Sequence, residues 1–275
     1  MVVASLEIWI KIQPCQRLCP ERRGHVAAAY SLPLVPMAKP DRIELPTGET
    51  IPILYEDRSV LAIDKPRDWM LVPFSWQKTN RNLQAALTSS IAARDFWARS
   101  RALKFLRFVH RLDADTTGVL LFGKSPGAVT AYGNLFESRQ MEKIYLAVVE
   151  GVPKQTEWTC RLKLAPVPGE PGRMRADERH GKDAKTRFRV LKTHAGRALV
   201  QTHPLTGRTH QIRVHLAESG SPVVGDDLYG LEKPKQGENL ALRAVELAYR
   251  DPFARRPVRI VAETGWFLRE YRFAD

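Results

Sequence analysis

The chain has 275 residues, 44% hydrophobic and 27% charged, which is a globular balance with length enough for a sizeable core. Lys and Arg total 43 against 30 Asp and Glu, a formal charge of +13 that favours a polyanionic partner, nucleic acid before an anionic membrane. Wholesale disorder, a collagenous repeat, a disulfide framework and a spanning helix are excluded. The charge-free run from Gly24 to Ala38 is broken by Pro33 and Pro36, and it falls short of the roughly 20 apolar residues that a spanning helix needs. Three cysteines, Cys15, Cys19 and Cys160, fit neither a redox CxxC nor zinc-ligand spacing, and a reduced, cytoplasmic compartment is expected.

Residues 1–36 stand apart. They carry four basic and two acidic side chains, so setting them aside lowers the excess of +13 only to +11. They read as a poorly ordered extension, Met37 reads as the natural start, and residues 37–275 as one catalytic domain. Neither a secretory signal nor a transit peptide fits well: Glu7 interrupts the apolar opening and Lys11 follows it.

In chain order, Val60–Ile63 predicts a strand that stops at Lys65-Pro66. Residues 82–93 predict a helix from Leu83, Ala86, Leu87 and Ile91, with Asn80 or Asn82 as its cap. A buried strand covers Val119–Phe122 after a turn closing at Gly118, a helix covers Pro126–Arg139, and a strand covers Ile144–Val149. Residues 164–184, rich in Pro, Gly and charge, read as a surface excursion. Thr186–Leu191 alternates basic and apolar residues, a half-exposed strand that pairs with Ala198–Thr202 across a short turn. Gln211–Glu218 predicts a short helix capped by Gly220. Without a regular βαβ alternation, the fold expected is α+β: an open, mostly antiparallel mixed sheet flanked by helices and loops, with a basic active-site cleft. Trp158, Phe188 and Trp266 are assigned to the core.

Three segments can carry chemistry. His110-Arg111-Leu112-Asp113-Ala114-Asp115-Thr116-Thr117-Gly118 sets an acid beside a guanidinium in a polar turn before an apolar strand. An Asx turn with a surface ion pair is its plainer reading. Pro204 to Leu216 packs Arg208, His210, Gln211, Arg213 and His215 into a helix start. There Arg208 and free amides suit phosphate, and an arginine on the helix can instead reach a buried carboxylate; a solvated basic helix competes with both. A metal on His210 and His215 is a poor fit, because five residues on a helix turn the two rings apart. The third segment, Lys143 to Gly151, is a strand carrying Tyr145, and core packing alone would account for it.

Together these segments resemble the RluA family of RNA pseudouridine synthases. HRLDADTTG matches the family's H-R-L-D-x-x-T-S/T-G with Thr117 at the usual Ser, KIYLAVVEG its K-x-Y strand, and TGRTHQIRVHLA its basic block. ILYEDRSVLAIDKP and VVGDDLYG are softer matches, and the likeness spans about residues 51 to 263. The resemblance implies that Asp113 is the essential aspartate acting at the ribose of a flipped uridine. It implies that Arg213 pairs with that aspartate, that Tyr145 packs on the base and assists a late proton removal, and that Arg111 fills the vacated stack. Extrusion of the uridine costs a few kcal/mol, offset by basic contacts to phosphate such as Arg208.

The chain departs from the family at Lys65-Pro66-Arg67-Asp68-Trp69 and at Leu242-Arg243-Ala244, where the usual histidine is Arg243. Both changes are expected to touch substrate choice rather than the carboxylate. No S4 domain is expected. The resemblance implies an isomerase that needs no metal or organic cofactor, with ribosomal or transfer RNA as partner, no membrane, no obligatory protein partner, and a monomeric state. Two other classes compete with it: a non-catalytic RNA-binding assembly protein on the same fold, and a two-metal nuclease built from Asp113, Asp115, Asp226 and Asp227.

Overall fold

The computed structural model describes residues 38–45, 47–71 and 81–274; the extension read at 1–36, Met37 and Asn80 lie outside them. The described strands are β1 (Arg42–Glu44), β2 (Thr50–Glu56), β3 (Val60–Lys65), β4 (Arg107–Phe108), β5 (Thr117–Gly123), β6 (Glu142–Glu150), β7 (Glu157–Cys160), β8 (Leu164–Pro166), β9 (Met174–Ala176), β10 (Thr186–His194), β11 (Arg197–Pro204), β12 (Leu242–Arg250) and β13 (Pro257–Val261). The helices are α1 (Leu83–Ala92), α2 (Phe96–Arg99), α3 (Pro126–Glu137), α4 (Gln211–Glu218) and α5 (Gly265–Glu270).

Eleven of these strands form one sheet in the order β1-β2-β3-β5-β12-β6-β11-β10-β7, with β4 also on β5 and β13 on β12. Its ladders are antiparallel except β5 with β12, where Thr117 faces Arg243 and Gly118 faces Ala244. This is the mixed, mostly antiparallel α+β sheet expected. β5 is buried at every position because both of its faces are covered. Leu120 and Phe122 pack with Leu83, Leu87 and Trp97, while Val119 and Leu121 pack with Ala128 and Tyr132.

Local signals set most element ends. Asn82 caps α1 by accepting from the Ala85 N–H, and Ser125 caps α3 by accepting from Ala128, with Pro126 as its first residue. α3 stops at Glu137, short of the expected Arg139, which takes a positive φ of 61°. α4 has the span expected. Gly220 at φ 78° follows it, its N–H bonded to Ala217 and that of Ser221 to Leu216, which satisfies the last carbonyls. β10 and β11 join through Ala195 and Gly196, both at positive φ.

The segment 164–184 is more ordered than a plain excursion. β8 and β9 pair into a two-stranded hairpin, and Leu164 and Ala184 bury against Val214 of α4. Phe188 is a core residue stacked on Trp158 at 4.8 Å, and Trp158 and Trp266 pack partly buried against the same cluster.

Candidate active site

The loop before β5 is fixed from two sides. Lys65, at the end of β3, is wholly buried, and its ammonium donates to the carbonyls of Pro66, Ala114 and Thr116 at 2.8, 2.6 and 3.0 Å. Burial lowers its pKa to about 8, with Asp115 and Asp113 opposing that fall. At the other end Gly118 has φ 110°, and a Cβ there would stand 2.0 Å from the Ala244 carbonyl oxygen, so only glycine lets β12 lie alongside. Asp113 is therefore presented by a loop with little freedom.

Its carboxylate is 28% exposed and borders two hollows. The larger, a cavity of about 580 Å³, is shared with Tyr145, Arg208, His210 and Arg213. The smaller, about 350 Å³, runs under the 170–173 tip of the β8–β9 hairpin. Arg111 is exposed and borders both. All five residues singled out by sequence thus come together around one cavity whose lining cations outnumber its acids.

Arg213 is shared among three carboxylates. Its Nη1 stands 3.9 Å from Asp113, but Nε and Nη2 bind Asp226 at 2.7 and 2.6 Å, and Nη2 reaches Asp227 at 3.1 Å. Asp226 is the principal partner because its carboxylate is fully buried and is also fixed by the N–H groups of Leu228 and Tyr229, both at 3.0 Å. The Tyr229 ring lies beneath the guanidinium at 5.2 Å. Burial opposes the Arg213 charge, yet the bonded Asp226 and the nearby Asp113 push its pKa up.

His210 is a site residue that sequence reasoning weighed only as a metal ligand. It takes φ 52° ahead of α4, where its Nδ1 meets the Tyr229 hydroxyl at 2.9 Å and its Nε2 lies 3.9 Å from Asp113. Burial lowers its pKa, and Asp113 opposes this. His215 points elsewhere and is bonded to Thr186 and the Leu162 carbonyl. Among the described residues no three His, Cys, Asp or Glu side chains gather as a metal cluster; Asp226 and Asp227 turn to Arg213.

Tyr145 projects from β6, and burial first, then the Asp113 charge, raises its pKa and keeps the phenol protonated. Arg208 is tied at Nε to the Asp183 carbonyl, 3.0 Å away, and its amide donates to Gln211, so that amide is not free for phosphate. His110 lies stacked on Phe136 and accepts the Leu121 N–H; burial and the Lys143 charge bring its pKa to about 3, so it is neutral. Arg243 does not face the cavity. It is fully buried, paired with Asp64 at 3.0 and 2.6 Å, and set 4.7 Å over Trp266, so this departure alters the core rather than the substrate wall.

A family model described as RNA pseudouridylate synthase matches residues 59–218. The dual-specificity RNA pseudouridine synthase RluA of Vibrio cholerae is 34% identical over 209 residues, covering 75% of this chain and 80% of that protein. The ribosomal large subunit pseudouridine synthase C of Escherichia coli is 34% identical over 224 residues, covering 76% of this chain and 65% of that protein. Among solved structures, human RNA pseudouridylate synthase domain containing 4 aligns at TM-score 0.65 and 22% identity, over 80% of this chain and 92% of its own, which bears on the fold.

Sheet, matched segment and relatives define an RNA pseudouridine synthase, an isomerase of RNA. The chain belongs to the RluA family of these enzymes.

Proposed function

We propose that this enzyme converts specific uridines of ribosomal or transfer RNA to pseudouridine in the cytoplasm, with Asp113 as its catalytic group. The names of its relatives, one dual-specific and one acting on the large ribosomal subunit, favour ribosomal RNA as a target. In the net reaction the N1–C1′ bond breaks, the uracil turns, C5 bonds to C1′, the C5 proton leaves and N1 takes up a proton. Nothing is gained or lost overall. Asp113 acts at the ribose, with the Arg213 guanidinium 3.9 Å from its carboxylate. Tyr145 packs on that base and assists removal of the C5 proton. Arg111 and Arg208 contact the strand from the rim of the cavity.

The observation that carries this reading is the convergence of Asp113, Tyr145 and Arg213 on one cavity from the loop before β5, from β6 and from α4. Residues 37–275 form the catalytic domain in this reading, acting as a monomer without an obligatory protein partner, so removal of residues 1–36 should leave turnover unchanged. The deciding experiment is tritium release from RNA labelled at uridine C5. Asp113→Ala should abolish release while RNA affinity stays within a few-fold, and retained release would refute the assignment. Mapping pseudouridines in cellular RNA with and without the gene identifies the target.

A further inference from the structure

One cation in the large cavity takes no part in the chemistry at the ribose. Lys143 and Tyr145 are two residues apart on β6, so both side chains leave the same face of the strand and both line the cavity. Lys143 is part-buried, and the only hydrogen bond of its ammonium among the described residues is from Nζ to the Thr206 carbonyl at 3.1 Å. An ammonium has three donors, so two remain unengaged. Burial lowers its pKa to about 8 with no carboxylate offsetting the fall.

The turn above it leaves those donors accessible. Gly207 does not need to be glycine for its backbone, since its φ is not in the left-handed region. A Cβ added there would meet a single atom within 4 Å, the Lys143 Nζ at 3.9 Å, so any longer side chain would lie over the ammonium. The turn itself is rigid: the Thr206 hydroxyl accepts from the Lys185 N–H at 2.9 Å and donates to Gln211 at 2.6 Å, and Gln211 also accepts the Arg208 N–H.

We propose that Lys143, uncovered by Gly207, forms a subsite for one backbone phosphate of the RNA strand that carries the target uridine. The inference rests on the assignment of Asp113 and Tyr145 to the reacting nucleotide and adds an anchor beside it. A phosphate satisfies both the open donors and the uncompensated charge, whereas a uracil carbonyl would satisfy only the donors. Arg208, next on the turn, extends the same positive edge.

The test is salt-dependent binding of a fluorescent oligouridylate to the full chain, followed by anisotropy from about 50 to about 300 mM KCl. Lys143→Met should weaken binding about tenfold at low salt. It should also flatten the slope of log affinity against log salt by about 0.7, the value for one phosphate on a single strand. Lys143→Arg should keep the slope. On tritiated RNA, Lys143→Met should raise KM and leave kcat near wild type. Should Lys143→Met fail to fold, Gly207→Asp, which sets a carboxylate beside Nζ, should flatten the slope in its place. An unchanged slope overturns the subsite, whether affinity is lost, as for a contact to the neutral base, or kept. Asp113→Asn run in parallel keeps the two readings separate: tritium release by that variant would refute the catalytic assignment, whereas the phosphate contact is decided by the slope alone.

Discussion

Arg213 and Asp226 form a two-bond clasp, Nε to Oδ2 at 2.7 Å and Nη2 to Oδ1 at 2.6 Å, which leaves Nη1 turned to Asp113 at 3.9 Å. The guanidinium facing the Asp113 carboxylate is thus aimed by a second carboxylate that solvent does not reach. Breaking a buried pair of this kind costs about 3–5 kcal/mol, because the remaining charge is stranded. Asp226→Ala should lower the unfolding free energy by about that amount in urea titration. Asp226→Asn, closer in shape, should fold and lose kcat while RNA affinity changes little. Arg213→Ala should likewise harm turnover more than binding, and equal losses in both would contradict its placement beside Asp113.

Tyr145 offers a separation of roles. Burial and the Asp113 charge keep its phenol protonated, so it does not act as an anion at neutral pH. Tyr145→Phe keeps the ring and should retain RNA affinity while kcat falls. Tyr145→Ala removes the stacking surface as well and should raise KM, since base stacking is worth about 1–3 kcal/mol. Steady-state kinetics of the two variants resolves the ring from the hydroxyl.

Lys65 predicts opposite responses of stability and activity to alkaline pH. Its folded pKa of about 8 lies below the usual 10.5, so between those values the unfolded chain holds a proton that the folded chain has released. The cost of burying this charge is present below pH 8 and is relieved as pH rises, a gain in stability of up to about 3 kcal/mol from this group. The same deprotonation weakens the hold on the Ala114 and Thr116 carbonyls, so kcat should decline above about pH 8. Denaturation and kcat measured across that window should diverge in wild type, and Lys65→Met should lose the pH-dependent stability gain.

The Asp64–Arg243 pair lies in the sheet, away from the cavity. Asp64→Ala should destabilise by about 3 kcal/mol or more with turnover of the folded enzyme preserved. The joint replacement Asp64→Leu with Arg243→Met should recover most of the loss, as apolar substitutes for buried pairs often do. Urea titration of the single and double variants checks this.

The sheet strands and α4 were legible because their signals are local: apolar runs between turn residues, and a glycine after Glu218. Asp113, Tyr145 and Arg213 were legible through their motifs, and the cavity brings them together as expected. The partners were not. Asp226 sits beside Asp227 in the sequence, and nothing local marks which of the two is buried; the structure shows Asp226 closed off and Asp227 largely open. Lys65 reads as the polar end of a strand, since the carbonyls that justify its burial lie 49 and 51 residues away. The β8–β9 hairpin is not legible in the sequence, because three-residue strands flanked by Pro and Gly carry little periodicity. Arg243 looked like a change in substrate contact, and only the location of Asp64 reveals it as a change in the interior.

β12 runs between β5 and β6, the strands that carry the Asp113 loop and Tyr145. The spacing between acid and aromatic ring is therefore set by a strand that begins at Leu242, long after both Asp113 and Tyr145 have been made. A nascent chain that has displayed every motif residue still lacks the piece that holds its two halves at working distance. Competence should arrive abruptly, once β12 has been made and slides into place.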